Sequence, residues 1–366
     1  MRRVSAASIE RIGVKAYTIP TEREESDGTF TWNSTTLVVV HAAAAAEAGL
    51  GYSYTSAAAA RLIQDLLEPA LLGRDALATG ALFVEMNRLV RNVGRPGVAA
   101  TAISALDVAL WDLKARLLGV SLVTLLGARS TSVPVYGSGG FTSYSDAELA
   151  EQLGGWVEEG IARVKMKVGR RPDLDPARVR AARRAIGPDA ELFVDANGAY
   201  ACKQALELAG AFQDENVRWF EEPVSSDNLA DLRLVRERAP AGMDVTAGEY
   251  GYEPSYFSRM LAAHCVDVLQ ADATRCLGIT GFLAVGALCD AHEVPLSSHC
   301  APSLHVHLCC ATPRVRHLEY FHDHVRIEQR LFDGAPAPRD GLLTPDSCRP
   351  GHGLSLRSAD AAEFEV

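Results

Sequence analysis

Val164-Lys165-Met166-Lys167, Leu192-Phe193-Val194-Asp195-Ala196-Asn197 and Val217-Arg218-Trp219-Phe220-Glu221-Glu222-Pro223 are three short apolar runs, each closing on charged residues. The pattern continues through Glu249, then Asp272 after Val266-Asp267-Val268-Leu269, and His299 after Val294-Pro295-Leu296. From Lys167 the steps between these polar ends are 28, 26, 28, 23 and 27 residues. A strand, a helix and two short connections need about that much chain. Each polar group therefore sits where a parallel strand ends. In a (β/α) barrel those ends converge on one face, the face where barrel enzymes do chemistry. The stride predicts that two lysines, three carboxylates and an Asp/His pair share one mouth.

Outward from this series the pattern changes. Residues 8–19 and 36–42 are apolar and β-branched and read as strands. Between them Glu22-Arg23-Glu24-Glu25-Ser26-Asp27-Gly28 reads as a polar loop. Helical periodicity follows over 57–71, 79–92 and 98–118. Tyr52 and Tyr54, after Gly49-Leu50-Gly51, read as a second loop. Strands followed by helices suggest an α+β domain over 1–130, and 131–334 carries the strand–helix alternation. Asp173–Ala185 and Lys203–Asp214 are helices of that series. The irregular tail 335–366 is expected to pack back on the first domain.

The chain has 366 residues, enough for one barrel and a smaller domain. Its 48% hydrophobic content is that of a globular protein. Net charge is −10, which argues against nucleic acid or an anionic membrane as partner, since both demand a basic face. No run of about 18 apolar residues spans a membrane. The N-terminal stretch Met1 to Val14 has no continuous apolar segment and does not read as a signal peptide. Eight cysteines without a C-x-x-C pair read as reduced thiols, which implies a cytoplasmic location.

The charged ends carry the chemistry. Asp195, Glu221 and Glu249 close three consecutive strands. Three like charges at one mouth repel without a cation, and hard divalent cations take oxygen ligands. Three unrelated surface acids are the plain alternative, which the consecutive placement disfavours. Lys165 and Lys167 alternate on a strand, so both point one way. At ~6 Å and an effective dielectric of ~20 their repulsion is roughly 3 kcal/mol, about 2 pKa units toward a usable base. Asp272 and His299 suit a carboxylate that fixes an imidazole tautomer, although a lone histidine is as often a core residue. Glu319 follows one unit later. Protonated, it suits a hydrogen bond to a substrate oxygen; a buried ion pair is the other reading. A nucleophilic Cys300 is discounted, because neighbouring side chains on a strand face opposite ways. Ser297 or Ser298 as a hydrolase nucleophile lacks the Gly-x-Ser-x-Gly elbow. His305 and His307 fall in a helix, where i and i+2 do not share a face.

The order Lys-x-Lys, Asp-x-Asn, Glu-Glu-Pro, Gly-Glu, Asp, Ser-Ser-His and Leu-Glu resembles the mandelate racemase subgroup of the enolase superfamily. The helix Ala105–Lys114 and the tail Pro350-Gly351-His352-Gly353-Leu354 are similar to that family as well. The resemblance implies an N-terminal α+β capping domain over a (β/α)7β modified TIM barrel. It implies one Mg2+ per subunit on Asp195, Glu221 and Glu249. It implies Lys167 as base on one substrate face, tuned by Lys165, with His299 oriented by Asp272 serving the other. It implies that Glu319 hydrogen-bonds the enolate oxygen and that Asn197 lines the pocket. The implied reaction removes the proton alpha to the carboxylate of a small-molecule acid, giving a metal-stabilised enolate.

Loss of water from a sugar acid is the favoured outcome; racemisation, epimerisation or cycloisomerisation by the same residues is the alternative. Trp32, Tyr52 and Tyr54 are expected to contact the substrate from the cap. Only Arg23 in the cap loop suits a second carboxylate, which favours an aldonate over an aldarate. A metal-stabilised binding protein without turnover, and an amidohydrolase, are readings from other classes. The latter wants His-x-His on the first barrel strand, where the chain has Val133-Pro134-Val135-Tyr136. A homo-oligomer is expected from an exposed cap on a barrel.

Overall fold

The computed structural model describes residues 7–366. The first part of the N-terminal stretch read above, residues 1–6, lies outside the described residues. Three antiparallel strands open the chain: β1 (Arg11–Ser26), β2 (Thr31–Ala44) and β3 (Glu47–Tyr54). The expected loop over Glu22–Gly28 is not one. β1 continues to Ser26 across a register shift between Pro20 and Glu25, and charged Glu22, Arg23 and Glu24 simply face solvent along it. The turn is confined to Asp27–Phe30. There the Asp27 carboxylate accepts the Thr29 and Phe30 N–H groups at 2.6 and 2.7 Å.

The second expected loop is strand β3. Alternation sorts its side chains between two cores. Leu50, Tyr52 and Tyr54 pack into the barrel-side core. Gly49 and Gly51 face the helix Val98–Leu118. A Cβ on Gly51 would lie 2.2 Å from the Ala105 carbonyl oxygen, and one on Gly49 would lie 2.2 Å from that of Ala109. These glycines permit close backbone approach, and in sequence that use looks like a loop signal. β2 splits likewise: Val38, Val40 and Ala42 join the cap core, Leu37 and Val39 the barrel-side core. Gly51→Ala is expected to destabilise the fold by about 1–3 kcal/mol through overpacking against backbone. Chemical denaturation checks this, and an unchanged midpoint would contradict the close packing.

The helix Val98–Leu118 is buried along most of its length and ends at Gly119, whose φ of 68° is the left-handed conformation of a helix stop. Two buried aspartates on it tie distant segments together. Asp112 accepts N–H bonds from Leu50 and His352 and an ion pair from Arg116. Asp107 accepts the Thr280 N–H at 2.9 Å, linking the cap to a barrel helix. A buried carboxylate is tolerated when its lone pairs are satisfied in this way.

Eight parallel strands follow: β4 (Val133–Gly139), β5 (Arg163–Lys167), β6 (Glu191–Asp195), β7 (Val217–Glu221), β8 (Asp244–Ala247), β9 (Val268–Ala271), β10 (Leu296–Ser298) and β11 (Val315–Phe321). Each pairs with the next, and β11 pairs with β4, so the sheet closes. The fold is a modified TIM barrel with an N-terminal capping domain. Tyr136, Phe193, Trp219 and Val268 form a separate buried cluster, and their strands β4, β6, β7 and β9 carry them into the barrel interior, where large side chains fill the space. In the tail, Leu342–Leu343 adds an antiparallel strand to β4, while the His352 N–H donates to Asp112 and the Gly351 carbonyl accepts the Leu122 N–H, both on the cap side. Among the described residues no helix is long and apolar enough to cross a membrane.

Candidate active site

Register brings the strand-end charges together. Lys167 pairs in the sheet with Asp195, and Asp195 with Glu221. One carboxylate oxygen each from buried Asp195, Glu221 and Glu249 lies within 4.8 Å of the others. The crowding has a cost. Burial, then the Asp195 charge, pushes the Glu221 carboxyl up to about 8. Glu249 Oε2 finds no well-aligned hydrogen-bond donor, its nearest polar neighbour being the His299 ring at 3.1 Å. A hard divalent cation relieves both features, and three buried carboxylate oxygens are a donor set suited to Mg2+. The residues present therefore fit such an ion.

Lys165 is fully enclosed. Its Nζ lies 2.7 Å from Glu221 Oε1, 2.7 Å from Glu319 Oε1 and 3.6 Å from Asp195 Oδ2. Lys167 Nζ donates to Asp195. This corrects the electrostatic expectation for the pair. Burial lowers both amines, yet Glu221 and Glu319 hold Lys165 well above its ordinary value, and Asp195 holds Lys167 above its own. The mutual repulsion of two ammonium groups is real but smaller than the pull of the facing carboxylates. For Glu319 this arrangement favours the ion-pair reading. Burial favours its neutral form, but Lys165 and His299 hold it well below the carboxylate range, so in this arrangement it is an ionised partner rather than a protonated donor.

His299 follows β10. Its Nδ1 lies 2.8 Å from Asp272 Oδ2, and Asp272 Oδ1 accepts the Thr274 N–H at 2.7 Å. Nε2 lies 3.1 Å from Glu249 Oε2. Burial lowers the imidazole; the facing Glu249 and Glu319 carboxylates outweigh it and hold the ring well above the usual histidine range. β4 and β11 separate the strands of Lys167 and His299 on one side of the barrel, and β6 to β9 on the other. The two groups therefore enter from different parts of the rim. Both line one cavity of about 710 Å³, together with Asn197, Glu249 and Glu319.

The cap supplies the roof. Trp32 and Tyr54 line the cavity, with hydroxyls from Ser34, Thr35 and Thr36. Tyr52 does not line it, which corrects the expectation for that residue. On the same strand its ring is fully buried, and its hydroxyl donates to Glu328 Oε1 at 2.8 Å. Arg23 also lies elsewhere, paired with Glu148 beside a separate hollow. Three cavity residues were missed by sequence reasoning. Arg275 sits 3.7 Å from Glu249 and 3.8 Å from Asp272. His324 stacks on Tyr54 with ring centroids 3.4 Å apart, and its Nδ1 accepts the Ala301 N–H. Cys300 was discounted on strand alternation, but its φ of 53° turns the chain, and its Sγ lies 3.3 Å from His299 Nε2. His305 and His307 bond backbone groups on different sides of their helix.

Trp32 is held by a buried carboxyl. Its Nε1–H donates to Glu25 Oε2 at 2.9 Å. Burial, then Asp323, pushes Glu25 up to about 8. The folded value exceeds the unfolded one of ~4.3. The proton's contribution to stability is complete below about pH 4 and is lost as pH rises through about 8. Wild type should lose thermal stability between about pH 5 and pH 8, and Glu25→Gln should flatten that decline. Melting curves across the range check it; parallel curves would contradict the assignment.

Two family models cover most of the chain. Residues 21–127 match the mandelate racemase / muconate lactonizing enzyme N-terminal domain, and residues 148–361 match the enolase C-terminal domain-like family. The chain belongs to the enolase superfamily. A 3,6-anhydro-alpha-L-galactonate cycloisomerase from Streptomyces coelicolor is 34% identical over 304 residues, 82% of each chain. A mandelate racemase/muconate lactonizing enzyme-like structure from Rubrobacter xylanophilus superposes with TM-score 0.96 at 52% identity, covering 98% of this chain and all of that one. L-talarate dehydratase from Polaromonas sp. JS666, complexed with Mg and L-glucarate, gives TM-score 0.89 at 29% identity over 98% of both. This enolase-superfamily protein is an enzyme, a lyase or an isomerase, of a family whose cofactor is magnesium and whose relatives bind small carboxylates.

Proposed function

We propose that the protein removes the proton alpha to the carboxylate of a sugar acid and then expels the β-hydroxyl as water, giving a 2-keto-3-deoxy acid. The observation that carries this is the entry of Lys167 and the His299–Asp272 pair into one cavity from different parts of the barrel rim, flanking three buried carboxylates.

In this reading Asp195, Glu221 and Glu249 hold one Mg2+ per subunit. When bound, the ion supplies positive charge for the substrate carboxylate and offsets the field that keeps the lysines protonated. Lys167 Nζ takes the α-proton, and the C–H electron pair moves into the carboxylate as an enolate. Lys165 places a fixed positive charge among Glu221, Glu319 and Asp195, and Asn197 borders the substrate. The electrons then return to form a Cα–Cβ double bond while the Cβ–O bond breaks. The departing oxygen takes the proton from His299 Nε2, and the enol tautomerises to the keto acid. Asp272 on Nδ1 keeps the ring aimed throughout.

The cap suits a neutral polyhydroxy chain. Trp32 and Tyr54 offer aromatic faces, and Ser34, Thr35 and Thr36 offer hydroxyls. Arg23 is paired outside the cavity and Arg275 is paired to Glu249 and Asp272. Both support an aldonate over an aldarate. Cycloisomerisation is the second reading, favoured by the 34% identity to the Streptomyces enzyme. We also take the chain as two units dividing near residue 130, acting as a homo-oligomer in the cytoplasm with reduced cysteines; all eight thiols are unpaired.

A panel of aldonates and anhydro-aldonates incubated with Mg2+ tests the choice. Dehydration is expected to yield a 2-keto acid from at least one aldonate. An isomer formed without loss of water, or α-deuterium uptake with no keto product, would replace it by the isomerase reading.

A further inference from the structure

We propose that His299, Cys300 and Glu319 form a second metal site, selective for thiophilic divalent cations such as Zn2+ and Cd2+, distinct from the oxygen-only set. Three features build it. First, the Asp272 carboxylate at 2.8 Å occupies Nδ1 of His299, which leaves Nε2 as the ligand atom once its 3.1 Å contact with Glu249 Oε2 is given up. A carboxylate behind an imidazole is the arrangement that orients histidines toward metals. Second, Cys300 and Ala301 have φ of 53° and 40°. These two left-handed residues swing Sγ back to 3.3 Å from Nε2. Third, the Cys300 N–H donates to Glu319 Oε2 at 2.8 Å, and that oxygen lies 3.9 Å from Nε2.

The three ligand atoms all lie within 4.8 Å of one another. Tetrahedral zinc, with Zn–S about 2.3 Å and Zn–N about 2.0–2.1 Å, needs N···S and N···O separations of roughly 3.5 Å. The spacing needs only small side-chain shifts. Mg2+ disfavours sulfur and nitrogen ligands, whereas zinc and cadmium favour them. The site opens on the cavity, so a water or a substrate oxygen completes the coordination. Burial raises the Cys300 thiol to about 12, so binding displaces a proton from it, as from Nε2. The consequence, resting on the proposed role of His299, is that the occupant removes the group that protonates the leaving hydroxyl, and the enzyme is blocked reversibly by thiophilic ions.

The test is a Cd2+ titration of the Mg2+-saturated enzyme carrying Cys348→Ser, which removes the exposed thiol. The expected result is one equivalent bound, with a sulfur-to-cadmium charge-transfer band in the ultraviolet. Cys300→Ser should abolish the band, and His299→Asn and Glu319→Gln should each weaken binding at least about tenfold, since even a partner that only orients a ligand is worth that much. A band that persists in Cys300→Ser, or cadmium bound without a band, would overturn the site. The readout needs no substrate, so failure of the dehydratase reading leaves it untouched.

Discussion

Lys167→Ala should lower α-proton exchange by about 10²–10⁴-fold, the range for losing a positioned general base. The amine is buried, it lines the cavity, and its Nζ donates to Asp195 beside the three-carboxylate set. Alanine removes the proton acceptor and leaves β5 intact, because the strand is held by pairing with β4 and β6 on either side. Binding of the acid should survive, since Lys165 keeps its own bonds to Glu221 and Glu319. Lys167→Arg should be equally inactive: guanidinium keeps its proton at any accessible pH. Deuterium wash-in followed by NMR measures the loss. Exchange within tenfold of wild type in Lys167→Ala would mean that another group is the base.

Removing magnesium should stop turnover and loosen the fold together. Chelation is expected to cost about 10³-fold or more, in line with the several kcal/mol that a Lewis-acid cation contributes. Adding Mg2+ back should restore activity and raise the melting temperature, because a ligand at 100 times its Kd adds about 2.7 kcal/mol. Glu221→Gln separates the two effects. Glu221 is pushed up to about 8 in the fold, above its unfolded value of ~4.3. Its proton therefore supports the metal-free fold below about pH 4, and that support is lost as pH rises through about 8. Without metal, Glu221→Gln should thus melt higher than wild type near pH 9. With Mg2+ it should gain little and stay inactive. Calorimetry with and without the ion reads both. Equal Mg2+ stabilisation of variant and wild type would remove Glu221 from the ligand set.

The barrel was legible because each polar end of β5 to β9 closes or follows an apolar run, and the stride between ends is the length of one strand–helix unit. Convergence of Asp195, Glu221 and Glu249 follows from that register alone. Less was legible where one residue type serves two purposes. Gly49 and Gly51 read as loop residues because glycine marks turns, yet here they admit a helix backbone. That misreading carried Tyr52 to the cavity: it shares a strand face with Tyr54, which does line it, but its hydroxyl is tied to buried Glu328 instead. The charged run Glu22-Arg23-Glu24 read as a loop, though exposed strand edges tolerate charge equally well. Cys300 was hidden by an assumption of extended backbone that its φ of 53° violates. The lysine pair was judged on its own repulsion, because the carboxylates that outweigh it come from β6, β7 and β11, far off in sequence.

The division of labour between the two groups is the central claim, and product analysis of His299→Asn in deuterium oxide tests it most directly. Lys167 remains in that variant, so α-deuterium should still enter the acid while formation of keto acid falls by about 10²-fold or more. Loss of exchange to the same extent as in Lys167→Ala, or continued release of water at the wild-type rate, would contradict it.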